Sequence, residues 1–289
     1  TDTFQLTAST NFGGATGLRV SGGAAGSTLI TGLDGITVGD TLTATFNDEQ
    51  LNGLTGVVVS GDATTASAET LVVALDAGND SIDLSGFSGG ATPVTADFAV
   101  TITGGTGNDS ITGVGTGLLE TIDPGAGIDA VTLGTAATVE NVIVGRAGTS
   151  TAPTANTLTA GGIVRTNTLT FGGGLDIITG FVAGGTATSD NIVHATAASK
   201  GQAPTAGVGQ PTSTKVANTT YVLYGNYNAG TGVFTVGAGA APAVNGNVYD
   251  ATAPDALVHI GNNAQDFTSS TGYVLFDNLN AGLVAADIV

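Results

Sequence analysis

Three residue types are missing altogether: the 289-residue chain has no cysteine, no methionine and no tryptophan. Without cysteine there is no disulfide staple, no thiolate nucleophile and no sulfur ligand for zinc, so an exported chain of this kind needs another device to hold it together. Positive charge is nearly as scarce. Five basic residues (Arg19, Arg146, Arg165, Lys200 and Lys215) stand against 23 acids, a net charge of −18. Binding to nucleic acid neutralises phosphates with a basic surface, so that class of partner is excluded. The same shortage leaves few cleavage sites for trypsin-like proteases. Unrelieved, the charge opposes compaction and self-association, and bound cations would relieve it locally. No apolar run approaches the length of a membrane-spanning helix. Helical periodicity is almost absent too.

What is present is strand-forming. Hydrophobic residues make up 41 % of the chain and there are 47 glycines. Short runs of Val, Ile, Leu and Thr are bounded by Gly, Asn and Asp, as at Leu18–Val20, Thr41–Phe46, Gly56–Ser60, Thr70–Leu75, Phe98–Thr103, Asn141–Val144 and Thr168–Phe171. The class is all-β. Residues 1–75 read as an N-terminal β-subdomain, either the last strands of a sandwich or the continuation of a solenoid. Residues 76–195 form a middle region of Gly-rich turns and short strands. A stretch rich in Ala, Gly, Pro, Ser and Thr at 195–213 reads as a linker or long loop. Residues 196–289 form a C-terminal β-subdomain that holds all five tyrosines (Tyr221, Tyr224, Tyr227, Tyr249 and Tyr273). Hairpin signals there are Asn228-Ala229-Gly230-Thr231-Gly232 before Val233–Val236, and Asn245-Gly246 within Ala243–Tyr249.

The middle region carries a recurring phrase. Gly104-Gly105-Thr106-Gly107-Asn108-Asp109-Ser110-Ile111-Thr112 has the form G-G-x-G-x-D-x-(large apolar)-x. Partial copies are Asp76-Ala77-Gly78-Asn79-Asp80-Ser81-Ile82, Asp123-Pro124-Gly125-Ala126-Gly127-Ile128-Asp129-Ala130-Val131 and Gly172-Gly173-Gly174-Leu175-Asp176-Ile177-Ile178. Glycine permits the positive φ of a tight turn, the Asp supplies a hard anionic oxygen, and the apolar residue opens a strand facing the core. Stacked turns of this kind offer the oxygen-rich shell that calcium requires. The candidate metal ligands and turn residues are Asp76, Gly78, Asp80, Gly105, Gly107, Asp109, Gly125, Gly127, Asp129, Gly174, Asp176 and Asp190. Successive aspartates Asp80, Asp109, Asp129 and Asp176 are separated by 29, 20 and 47 residues.

This phrase resembles the calcium-binding nonapeptide of RTX (hemolysin-type) proteins. Against their regular period, the spacing reads as a degenerate array with insertions, holding roughly one to three calcium ions. A second stretch, Gly174-Leu175-Asp176-Ile177-Ile178-Thr179-Gly180-Phe181 followed by Asp190-Asn191-Ile192-Val193, is similar to the closing element of RTX proteins. The terminus Gly272–Asp277 and Leu283–Val289 is similar to the C-terminal ends of proteins exported by type I secretion. Composition and repeats together resemble the calcium-binding, type-I-secreted surface-layer proteins of bacteria. The resemblance implies a β-roll or β-solenoid-like region with flanking β-sandwich-like subdomains. It further implies Ca2+ as the cofactor, copies of itself as partners in a lattice or filament, a cell-surface glycolipid as an attachment point through another region, and an extracellular location. Residue 1 is Thr and no signal segment follows it, so a processed product, a fragment or a protein exported by another route is expected.

Catalysis finds little support. Gly86-Phe87-Ser88-Gly89-Gly90 satisfies G-x-S-x-G, but no helix is expected after it, as a hydrolase elbow would need. The two histidines, His194 and His259, stand alone, and no H-E-x-x-H occurs. Asp48 and Glu49, read as strand neighbours, would point to opposite faces. The expectation is a structural protein and no enzyme. The rivals are the calcium-binding tail of a secreted enzyme, toxin or adhesin, and an ice-binding or adhesive solenoid. The last would require a regular T-x-T ladder, whereas Thr101-Ile102-Thr103 and Thr168-Leu169-Thr170 are isolated.

Overall fold

The computed structural model describes residues 3–6, 10–11, 33–39, 41–61, 69–90, 98–134, 140–144, 151–158, 163–164, 166–185, 189–194, 205–206, 219–237, 255–261 and 272–289. Leu18–Val20, the Asn245-Gly246 turn, most of the 195–213 stretch and all five basic residues lie outside them. The chain divides into two compact units, Thr1–Gly125 with Val131–Asn141, and Ala126–Ala130 with Val142–Val289.

The first unit is built from β1 (Thr3–Leu6), β2 (Thr10–Asn11), β3 (Gly35–Val38), β4 (Thr43–Phe46), a single helical turn α1 (Asp48–Leu51), β5 (Val57–Gly61), β6 (Glu69–Ala74), β7 (Ser81–Asp83), β8 (Phe87–Gly89), β9 (Phe98–Thr103), β10 (Ser110–Thr112), β11 (Leu119–Asp123) and β12 (Ala130–Thr132). β2, β4, β6, β9 and β11 form one parallel ladder, β1, β3, β5 and β8 another, and β7 pairs in parallel with β10, beside which β12 lies. The backbone therefore passes through the same faces once per winding. The N-terminal strands join these parallel ladders, so they extend the windings and do not form an antiparallel sandwich.

Register explains the odd spacing of the sequence phrase. Ser81 pairs with Ser110 and Glu69 with Phe98, while Ala99 pairs with Leu119. Windings here thus take 29 residues and then 20, the same as the steps from Asp80 to Asp109 and from Asp109 to Asp129. Insertions lengthen individual windings without shifting the turns out of line.

Parallel stacking puts like upon like. Ala44, Leu71 and Val100 follow one another across β4, β6 and β9, and Phe46, Val73, Ile102 and Ile122 form a second file. Ile82 lies against Ile111 on the short-strand ladder. All of these are buried, and each large aliphatic or aromatic side chain so buried contributes about 1.5–3 kcal/mol. The period-2 alternation of β6 and β9 follows directly, with one set of residues inward and Thr-rich positions half-exposed.

The open edge at β7 is covered by α1. Asn47 Oδ1 accepts from the Gln50 N–H (3.2 Å) and Gln50 Oε1 accepts from the Asn47 N–H (3.0 Å), a complete capping box. At its other end, the Asp83 N–H donates to Asn52 Oδ1 (2.9 Å) and the Gly53 N–H donates to the Asp83 carbonyl (3.2 Å). The N–H and C=O of Asp83 are thereby occupied, which shields that end of the edge from pairing with another chain. The expected strand over Asp48-Glu49 is corrected to this helical turn; Asn-x-x-Gln was its signature.

The second unit contains most of β13 (Glu140–Val144), then β14 (Ala155–Asn156), β15 (Thr168–Thr170), β16 (Asp176–Thr179), β17 (Asn191–His194), β18 (Thr205–Ala206), β19 (Thr219–Asn228), β20 (Val233–Val236), β21 (Asp255–Gly261), β22 (Tyr273–Asp277) and a 3-10 turn at Ala285–Asp287. Here the order β14-β15-β20-β19-β21-β22 is antiparallel, and β22 returns parallel to β16. The expected hairpin at 228–233 is present, with the Thr231 and Gly232 N–H groups both donating to the Asn228 carbonyl. Tyr221, Tyr224 and Tyr273 are buried, and Tyr221 and Tyr273 lie in a core with Leu169, Phe171, Phe234 and Leu275. The Tyr273 ring meets Phe171 edge-on at 5.2 Å and His259 at 4.7 Å. The Tyr224 hydroxyl accepts from the Leu283 N–H (2.7 Å), which ties the C-terminal segment to the sheet.

Close stacking makes a sharp mutational contrast. A Cβ on Gly107 (φ +139°) would overlap the carbonyl oxygen of Gly78, whereas Gly53 (φ +70°) has nothing within 4 Å of that position. Gly53→Ala is expected to cost about 1–2 kcal/mol from backbone strain alone. Gly107→Ala is expected to cost more than about 4 kcal/mol in urea denaturation, because neighbouring backbone must move. Equal losses at the two positions would contradict the stacking described.

Candidate functional site

The Asp-bearing turns are hydrogen-bonded in pairs, one pair within each unit. Asp109 Oδ1 accepts the backbone N–H of Asp80, 29 residues earlier, at 2.8 Å. Beside it, Asn79 Oδ1 accepts the N–H of Asn108 at 2.8 Å, and the Ser110 N–H donates to the Asp80 carbonyl at 2.9 Å. In the second unit, Asp176 Oδ1 accepts the Asp129 N–H at 2.8 Å across 47 residues, and the Ile177 N–H donates to the Asp129 carbonyl at 2.9 Å. The same bond thus occurs once in each unit.

The glycines are required by the same closeness. Gly105 (φ +80°) and Gly125 (φ +94°) take left-handed turns, and Cβ atoms there would run into Asp76 and Gly105 backbone respectively. Gly127 (φ +146°) and Gly174 (φ +93°) take positive φ before Asp129 and Asp176. Gly78 lies between two carboxylates, its Cβ direction 3.5 Å from Asp80 Oδ1 and 3.6 Å from Asp76 Oδ1.

Around the Asp80 and Asp109 turns the acids crowd together. The Asp80 carboxyl is pushed up by burial and then by repulsion from Asp76, with a smaller effect from Glu49. Burial also raises Asp109; the Asp80 N–H opposes that shift, while Asp80, Asp48 and Asp76 reinforce it. Asp48 is raised by burial and by Asp80. Five carboxylates therefore share one field, with no Lys or Arg among the described residues to offset it. Asp80 Oδ2 is buried and makes no hydrogen bond. Asp48 and Glu49 were missed as site residues because they sit outside any Gly turn; α1 brings them in from the preceding winding.

Other candidates go elsewhere. Asp190 is buried, its Oδ2 accepting the Val182 N–H at 2.7 Å. It neighbours a clasp formed by the C-terminus. Asp287, fully buried, accepts from the N–H groups of Gly185 (2.7 Å), Val284 (2.8 Å) and Gly184 (3.2 Å). Ser88 lies inside β8, opposite Val58. His259 is a core residue stacked on Tyr273.

Three buried glutamates form a set that the sequence reading did not single out. Glu69, Glu120 and Glu140 each occupy the space that a glycine leaves, beside Gly61, Gly113 and Gly134 respectively. Glu120 stands in the inner file opposite Val100 and accepts the Val114 N–H through Oε1 at 3.0 Å. A Gly seven or so residues before a lone Glu in an apolar strand is the only trace of this in the sequence.

No protein family, curated protein or solved structure matches the chain. The donor chemistry of the Asp80–Asp109 turns is all oxygen, which fits a hard divalent cation and not a soft one. Among the described residues no three carboxylates or imidazoles converge closely enough to hold a metal ion by themselves.

The pH response follows from the Asp176 carboxyl, raised from its ordinary 3.8 to about 8 by burial, against the opposing Asp129 N–H, and further by Asp129 repulsion. Between those two values the folded protein keeps a proton that the unfolded chain releases. Raising the pH through that window therefore removes stability, and Asp48, Asp80 and Asp109 act in the same direction. In chelator, the melting temperature is expected to fall as pH rises from acid to about 8. Asp176→Asn preserves the oxygen that accepts the Asp129 N–H and is expected to make that fall shallower. A wild-type melting temperature that rises over this window would contradict the assignment.

Proposed function

We propose that this chain is a structural protein of the bacterial cell surface. It is exported unfolded, folds outside as calcium neutralises its stacked Asp turns into a β-solenoid, and assembles with copies of itself into an extracellular lattice or filament. The observation that carries this reading is the concentration of Asp48, Glu49, Asp76, Asp80 and Asp109 in one field, with a buried Asp80 oxygen that lacks a hydrogen bond. Burying carboxylates without counter-charge is unfavourable. Asp80 and Asp109, completed by turn carbonyls and water, are the residues that would hold calcium. The bound ion supplies positive charge and a crosslink between windings.

The rest of the sequence accords with this. A chain without cysteine needs a non-covalent staple, and calcium is abundant outside cells and scarce within them. Acid repulsion keeps the chain open until the ion is met, and binding energy becomes folding energy. The net charge of −18 works against association of copies, so the same ions favour assembly.

In millimolar calcium each weak extracellular site is expected to add about 1–2 kcal/mol of stability over chelator. Asp80→Asn removes charge without removing any backbone acceptor of the pile, and is expected to lower that gain. Light scattering is expected to rise through a calcium titration, with ordered sheets or filaments in electron microscopy. Magnesium is expected to substitute poorly, since it demands a tight octahedral shell. Identical melting curves in calcium and chelator, with flat scattering, would overturn the proposal.

A further inference from the structure

Asn52 and Gly53, the exposed pair that follows α1, tie that turn to β7 through one residue, Asp83. Asn52 Oδ1 accepts the Asp83 N–H at 2.9 Å, and the Gly53 N–H donates to the Asp83 carbonyl at 3.2 Å. The same two groups are the reacting partners of asparagine deamidation. In that reaction the Gly53 nitrogen bonds to the Asn52 side-chain carbonyl carbon. The side-chain nitrogen leaves as ammonia, which takes up the proton that the Gly53 nitrogen loses. Water then opens the cyclic imide at one carbonyl or the other, giving isoaspartate or aspartate.

Sequence supplies the reactivity. Asparagine amides are thermolabile, and a following glycine puts no side chain in the path of its own nitrogen. Nothing lies within 4 Å of the place that a Gly53 Cβ would take, so neighbouring residues give no steric shelter. Protection comes from bonding instead, because the attack needs both contacts with Asp83 to let go. What maintains those contacts is α1. Its capping box joins Asn47 and Gln50, the Asn52 N–H donates to the Asp48 carbonyl at 2.8 Å, and Leu51 is fully buried. Against this, Asp48 and Glu49 on the same turn stand in the field of Asp80 and are repelled by it.

We infer that Asn52–Gly53 is a latent self-modification site, gated by the contact between α1 and β7. Opening that contact frees both groups to react, and the product keeps it open. A new carboxylate joins an already acidic turn, and isoaspartate routes the backbone through its Cβ, which displaces the side-chain acceptor. The Asp83 N–H then loses its partner, and that end of the β7 edge becomes available to another strand. The inference does not depend on which ion the Asp turns bind.

The test is peptide mapping by mass spectrometry of protein held in warm, mildly alkaline buffer with millimolar calcium. Mapping separates Asn52 from the Asn245–Gly246 pair, which lies outside the described residues. Conversion at Asn52 is expected to be about tenfold slower in the folded protein than in urea. Asn47→Ala removes the side-chain acceptor of the Gln50 N–H and is expected to speed conversion in the folded protein about fivefold, whereas Asn47→Ser keeps a capping oxygen and stays near wild type. Hydrogen exchange at the Asp83 amide is expected to be faster in the converted protein than before conversion. Equal rates in folded and urea-unfolded protein, an Asn47→Ala rate no higher than wild type, or an Asp83 amide equally protected before and after conversion would overturn the inference.

Discussion

Backbone lies directly on backbone at the Asp-bearing turns, and this closeness governs what the neighbouring residues can be. A side chain on Gly105, Gly107 or Gly125 would occupy space already filled by the turn of the adjoining winding. The chain therefore needs glycine there for room as much as for φ. Once the turns touch, each leaves backbone N–H groups facing the next, and the Asp at the end of the turn is placed to accept one. The bonds from Asp80 to Asp109 and from Asp129 to Asp176 are the result. A short apolar strand can then begin two residues later in register with its neighbour.

The same geometry concentrates charge. Each winding adds a carboxylate to the pile, and its strands bury apolar files that hold those carboxylates in place. Alignment and repulsion are thus inseparable, because the register that stacks Ile82 on Ile111 also brings Asp80 under Asp109. Helix α1 adds Asp48 and Glu49 to the crowd while capping the β7 edge, so edge protection itself increases the electrostatic cost. The glutamates at 69, 120 and 140 are treated differently. They are enclosed within the windings in spaces vacated by glycine, where burial is complete and exchange with solvent ions is restricted.

The all-β class was legible because short Val, Ile and Thr runs between glycines have no helical alternative. Strands at Phe98–Thr103 and Thr168–Thr170 fall where the pattern put them. The positions of the Asp turns were legible for the same reason: G-x-D before an apolar residue is a local signal. Winding length was not, since 20 and 29 residues look like irregularity until register is known. The contribution of Asp48 was hidden because a neighbouring winding supplies it.

The central claim is that the stacked Asp turns of each unit, Asp80 with Asp109 and Asp129 with Asp176, depend for their stability on neutralising their charge. Native-state hydrogen exchange at the Asp80 and Asp129 amides tests it most directly, because both protons sit in Asp-to-backbone bonds between windings. The account predicts strong protection of both amides in calcium and a large loss of it in chelator, while the Tyr221 and Leu257 amides of the antiparallel sheet change much less. Protection at Asp80 and Asp129 that is weak in calcium, or identical in calcium and chelator, would contradict it.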